Sequence, residues 1–72
     1  MSTPKIRLEL ARKLKEKRKK IGMTQEEAAE QIGVSPRYHQ MLESKNPTAV
    51  KIDLIAKLAK ALKTTPSKLL DF

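Results

Sequence analysis

Ser35 and His39 stand four residues apart, one helical turn, a spacing that can set a hydroxyl beside an imidazole. Such a pair is the raw material of a nucleophile and its base. No sequence-local acid suggests a group to orient the ring, however. His39 is the only histidine, and there is no cysteine. One histidine without thiolates makes a poor metal site, so no metal and no cofactor is expected. There is also no Gly-rich phosphate loop and no cluster of acids, which argues against an enzyme. What the chain carries in quantity is positive charge. Lys and Arg number 16 against 8 Asp and Glu, giving a formal net charge of +8 on 72 residues. Residues 1–20 hold nine bases and two acids, and residues 24–33 hold three acids and no base. The chemistry on offer is therefore attraction of an anionic partner, nucleic acid first and a membrane surface second.

The length bounds what can position these groups. A chain of 72 residues allows one small domain over 1–72 with a marginal core. No apolar run approaches the roughly 18 residues of a membrane span. The start, Met1-Ser2-Thr3-Pro4-Lys5, does not lead into the apolar region of a signal peptide, so a cytoplasmic location is expected. A peripheral membrane helix is disfavoured, because Ile6, Leu10 and Leu14 are needed in a core and no Trp or Phe accompanies them.

The punctuation divides the chain into five helices, at about 4–20, 25–31, 36–43, 52–62 and 66–71. Gly22 and Gly33 each follow a helical segment, where a left-handed cap needs no Cβ. Thr3-Pro4, Ser35-Pro36 and Thr65-Pro66 each read as an N-cap followed by Pro at the first helical position. Thr24 with Glu27 reads as a capping box. Ile6, Leu10, Ala11 and Leu14 form the apolar stripe of the first helix. Ile52, Ile55, Ala56, Ala59 and Leu62 form that of the fourth, with Leu58 beside it. Leu69, Leu70 and Phe72 close the chain. Lys51 is a poor cap, and Lys63 sits where a terminating Gly is expected. Met1 to Thr3 are expected to fray. No strand pattern competes, so the fold class is all-α.

Helices two and three are separated by Ile32-Gly33-Val34. Two short helices joined by a three-residue turn with a central Gly form a helix-turn-helix. Ala29 lets the two helices cross closely, and Gly33 supplies a positive φ. The basic run Lys15–Lys20 reads as scaffold. Its cations offset the helix dipole and keep a small domain in solution, with a long-range field as a by-product.

The string Met23-Thr24-Gln25-Glu26-Glu27-Ala28-Ala29-Glu30-Gln31-Ile32-Gly33-Val34-Ser35 resembles the phage repressor and Cro type (XRE-like) of helix-turn-helix domain. The segments Leu58–Leu62 and Thr65–Leu70 resemble that family's last two helices. The resemblance implies a compact five-helix, lambda-repressor-like fold. It implies binding of double-stranded operator DNA by a transcriptional regulator, in most cases a repressor, acting as a homodimer. It points to no small-molecule effector. Gln25 matches the family's phosphate-contacting Gln, and the dipole of a helix N-terminus favours an anion there. Pro36, Arg37, Gln40, Met41 and Ser44 match the outer face of the recognition helix, and Ser35 its start, where it is a candidate phosphate contact. Arg suits guanine O6 and N7 and Gln suits adenine N6 and N7, each worth about 1–3 kcal/mol of discrimination. Met41 offers a contact to a thymine methyl or no specific contact. Lys45, Asn46 and Thr48 fall in the loop that follows the phosphate backbone in the family. Arg18 and Glu43 match a partly buried ion pair that orients the recognition helix.

Three features depart from the pattern. His39 stands where the family has an apolar core residue. The readings are a buried neutral ring with one hydrogen-bond partner, a ring tilted towards the DNA backbone, or a switch or ligand role. Ala28 stands where Leu is common. Ser44-Lys45 replaces the Gly that follows the helix-three Glu. A protein-interaction module of the same fold, such as an antitoxin or coactivator partner, is the alternative function. Leu69, Leu70 and Phe72 are candidate dimer contacts or packing within the monomer.

Overall fold

A computed structural model describes residues 4–71. These form α1 (Lys5–Lys20), α2 (Gln25–Ile32), α3 (Pro36–Leu42), α4 (Ile52–Ala61) and α5 (Pro66–Leu69), with no strand among the described residues. The expected fraying of Met1 to Thr3 and the role of Phe72 lie outside the described residues.

The caps set the boundaries. Thr24 accepts from the Glu27 backbone N–H, and the Glu27 carboxylate accepts from the Thr24 N–H, closing the capping box. Ser35 and Thr65 cap α3 and α5 with Pro at the first turn of each. The Thr3-Pro4 reading needs correction. Pro4 is itself the cap position of α1 and no side chain bonds there. Glu43, Leu62 and Leu70 are caps, so α3, α4 and α5 end before the expected 43, 62 and 71.

Three helices end on one device. After α1, the Met23 N–H bonds Arg18 O and the Gly22 N–H bonds Lys19 O, with Gly22 at φ 73°. After α2, the Val34 N–H reaches Ala29 O across Gly33 at φ 85°. After α4, the Thr64 N–H reaches Ala59 O across Lys63 at φ 55°. Each is a Schellman-type cap, which needs one left-handed residue. At α4 a lysine takes that conformation.

α2 packs on α3 and α4, and α5 packs on α4 and α1. Leu10, Leu14, Ala28, Ile32, Leu42, Ile55, Leu58, Ala59, Leu62 and Leu69 build the core between them, with Tyr38 and Val34 against its edge. Two expected stripes need correction. Ile6 is 62% exposed and Ile52 is 79% exposed, because the first turns of α1 and α4 overhang the core. In α4 the buried set is Ile55, Leu58, Ala59, Ala61 and Leu62, while Ala56 is exposed. Rotating Leu58 inward in place of Ala56 buries far more apolar area, and a fully buried Leu is worth about 1.5–3 kcal/mol. Leu69 is core within the monomer and Leu70 is exposed, which removes Leu69 from the candidate dimer contacts. No helix among the described residues is long and apolar enough to cross a membrane.

Candidate nucleic-acid interface

α3 has two faces set by its short sequence. His39 and Leu42 are buried, whereas Pro36, Arg37, Gln40 and Met41 face outward. Arg37, Gln40, Met41 and Ser44 line one shallow concavity. Pro36 is exposed at the first turn, outside that lining. Met41 is 41% exposed and gives the face an apolar centre between two polar side chains. Ser44 is already engaged. Its hydroxyl donates to Met41 O at 2.7 Å and accepts from the Asn46 N–H at 3.2 Å. Only acceptor capacity remains there for a ligand.

Those bonds also explain the missing Gly. The chain leaves α3 through Glu43 at φ −98°, and neither Ser44 nor Lys45 takes a positive φ. The Ser44 hydroxyl holds the turn that a left-handed Gly would make. Lys45 and Asn46 are exposed on this turn. The Thr48 hydroxyl is turned from solvent, with its Oγ1 buried without a hydrogen-bond partner, and the residue lines the groove with Leu10, Leu42 and Val50. Ser35 is exposed, with its Oγ accepting from the Tyr38 N–H to cap α3.

Behind the outer face of α3 lies a buried polar cluster centred on Glu43, whose side chain is 2% exposed. Arg18 Nε donates to Oε2 at 2.8 Å and Arg18 Nη2 donates to Oε1 at 2.9 Å. Arg18 Nη1 donates to Met23 O at 2.8 Å, tying the pair to the turn before α2. Gln25 Nε2 donates to Oε1 at 3.3 Å. His39 Nε2 lies 2.5 Å from Oε2. A fork-on-fork Arg–carboxylate pair of this kind is geometrically specific and stronger than a neutral hydrogen bond. Burial pushes the Glu43 carboxyl up, but hydrogen bonds from His39, Arg18 and Gln25 outweigh it and hold the group at about 2. The Glu43 hydrogen bond raises the Arg18 guanidinium further.

Two of these links were missed by the sequence reading. It held that no sequence-local acid orients the His39 ring, yet Glu43 sits four residues on, the spacing at which helical side chains meet. The match of Gln25 to a phosphate contact carried no sign of its bond to Glu43. His39 is 0% exposed. Its Nδ1 has no partner, and Ser35 Oγ is a cap, so the two do not form a nucleophile–base pair. No group of His, Cys, Asp and Glu suited to a metal ion occurs among the described residues. Ala28 and Ala29 are 0% exposed, which lets α2 lie close to its neighbours. Gly33 carries the positive φ of the turn.

The fold is shared with known proteins. A helix-turn-helix family model matches residues 14–69. The clp gene regulator ClgR from Corynebacterium glutamicum superposes with a TM-score of 0.86 at 33% identity, over 93% of this chain and 70% of that one. The restriction-modification controller protein C.AhdI from Aeromonas hydrophila gives 0.81 at 30% identity, over 88% and 94%. A hypothetical transcription factor, NHTF from Neisseria, gives 0.83 at 29% identity, over 96% and 84%. No curated protein matches the chain. The chain belongs to the XRE-type helix-turn-helix family of DNA-binding transcription regulators.

Proposed function

We propose that this chain is a repressor that reads a pseudo-palindromic operator with α3 in the major groove of double-stranded DNA. The observation that carries the reading is the division of α3. Its inner face is locked by His39 and Leu42, and its outer face presents Arg37, Gln40 and Met41 together in one concavity. Arg37 and Gln40 discriminate bases, Pro36 and Met41 add apolar contact, and the remaining Ser44 lone pair accepts. Gln25, Lys45 and Asn46 contact phosphates. The first turn of α2 supports an anion by its dipole, although Glu26 and Glu27 stand there too. The excess positive charge of α1 supplies the long-range field, while specificity comes from few side chains.

Two copies would set their recognition helices about 34 Å apart, one helical turn of DNA. Ile6 and Leu70, exposed on the rim of an apolar groove with Leu10, Val50 and Ile55, support pairing on that side. The chain works in the cytoplasm as one domain. It takes no cofactor or small-molecule effector and performs no catalysis.

Salt titration tests the reading. Neutralising several phosphates makes affinity fall steeply with ionic strength. Binding to duplex DNA is expected to weaken at least about tenfold between 50 and 200 mM salt. A salt-independent affinity, with capture of a protein partner on the α3 face, would favour the interaction-module alternative.

A further inference from the structure

We propose that His39 is a positioning residue for DNA binding. Through the Glu43 carboxylate it fixes the Gln25 side chain, so that the anchor on α2 and the reading face of α3 share one geometry. The inference rests on the DNA-binding reading above.

The argument starts from the carboxylate. Glu43 Oε2 serves Arg18 Nε and His39 Nε2, and Oε1 serves Arg18 Nη2 and Gln25 Nε2. The two bonds from Arg18 orient the carboxylate from the side of α1. The His39 contact pins Oε2 from the side of α3, which sets where Oε1 lies. The Gln25 bond, at 3.3 Å, is the longest of the four and responds most to a rotation of the carboxylate. With one amide hydrogen on Glu43, Gln25 keeps its second for a phosphate oxygen, in a fixed direction.

The ring is suited to this task and poorly suited to a purely structural one. It is fully buried, so the core fixes its orientation. Its hydrogen bond requires a proton on Nε2, and its Nδ1 has no partner. An orphaned buried polar atom lowers stability. An apolar side chain would fill the same space without that cost. What it could not do is touch the carboxylate that holds Gln25.

The test measures His39→Leu, His39→Met, His39→Gln and Gln25→Ala, with His39→Leu also made in the Gln25→Ala background. Affinity is read on a duplex selected for the wild-type protein. Separately, the Gln25 side-chain amide resonances are read in the free protein. A glutamine amide can donate from about where Nε2 stands, so His39→Gln should recover most of the function. His39→Leu and His39→Met should each weaken binding about five- to tenfold while the fold melts no lower than wild type. In the Gln25→Ala background, His39→Leu should change affinity less than about twofold. The Gln25 amide pair should shift in His39→Leu and His39→Met and stay near its place in His39→Gln. Unchanged affinity in both apolar variants, losses that multiply in the double variant, or a Gln25 amide that does not move would each overturn the proposal. If no duplex binds the wild-type protein, the DNA reading fails, and the amide resonances alone still decide the positioning.

Discussion

Glu43 Oε2 and His39 Nε2 stand 2.5 Å apart within one turn of α3, both side chains enclosed by the protein. The same carboxylate takes both arms of Arg18 from α1. One side chain at the end of α3 thus joins α1, the start of α2 and α3. The joint and the apolar core beneath α3 hold the helix between them.

Removing the charge at the joint should be costly. Glu43→Gln leaves the Arg18 guanidinium buried without a counter-ion, and breaking a buried pair costs about 3–5 kcal/mol. Arg18 keeps its bond to Met23 O, so a loss of about 2–4 kcal/mol is expected in urea unfolding. Arg18→Lys should not restore the wild-type value, because an ammonium cannot span both carboxylate oxygens. Stability and DNA affinity both unchanged in Glu43→Gln would show that the pair does no orienting.

The same carboxylate dictates an acid response. Its folded value of about 2 lies below the ordinary 4.5. A group depressed by folding stabilises fully above its unfolded value and loses that contribution as pH falls through the folded one. Wild-type stability should therefore drop between about pH 4.5 and pH 2, and Glu43→Gln should drop less over that interval. Denaturant melts at several pH values measure the difference, and equal slopes would contradict it.

Lys63 offers a gain in stability. It is the described non-glycine residue with positive φ, at the place where Gly22 and Gly33 serve the other two helix ends. A left-handed L-residue costs roughly 1–2 kcal/mol, part of which glycine returns as unfolded-chain entropy. Lys63→Gly should raise stability by about 0.5–1 kcal/mol and the melting temperature by a few degrees. A lower melting temperature would mean that the lysine side chain makes a compensating contact.

On the proposed reading, the outer face of α3 supplies specificity and Lys45, on the turn after it, supplies affinity. Arg37→Ala and Gln40→Ala should each cost about 1–3 kcal/mol on the preferred site and relax the base preference at one position. Lys45→Ala should weaken all duplexes alike and reduce the salt slope by about one. Competition binding against single-base variants of the site distinguishes the two patterns.

Much of the architecture was written in local signals. Thr24, Ser35 and Thr65 cap their helices, and Gly22 and Gly33 close two of them, because caps depend on residues within a few positions. Apolar stripes were less legible. Periodicity gives spacing but not where a helix first meets a neighbour, so Ile6 and Ile52 matched the rhythm and yet overhang the core. Nor does it weigh volume, which turned Leu58 inward and Ala56 outward. Within the candidate site, the spacing of His39 and Glu43 contained their contact. The bond from Gln25 to Glu43 spans 18 residues of sequence and two helices, and no local pattern encodes it. The bonds of the Ser44 hydroxyl and the burial of Thr48 Oγ1 belong to a loop whose path follows from the fold alone.

Selection of bound duplexes from a random pool tests the central claim most directly, that α3 reads DNA sequence as one of two symmetric copies. The account predicts enrichment of an inverted repeat with half-sites centred about one helical turn apart. It also predicts that enrichment at the discriminated positions fades for Arg37→Ala and Gln40→Ala. A pool that stays random after repeated rounds, or a preference that the α3 variants leave intact, would contradict it.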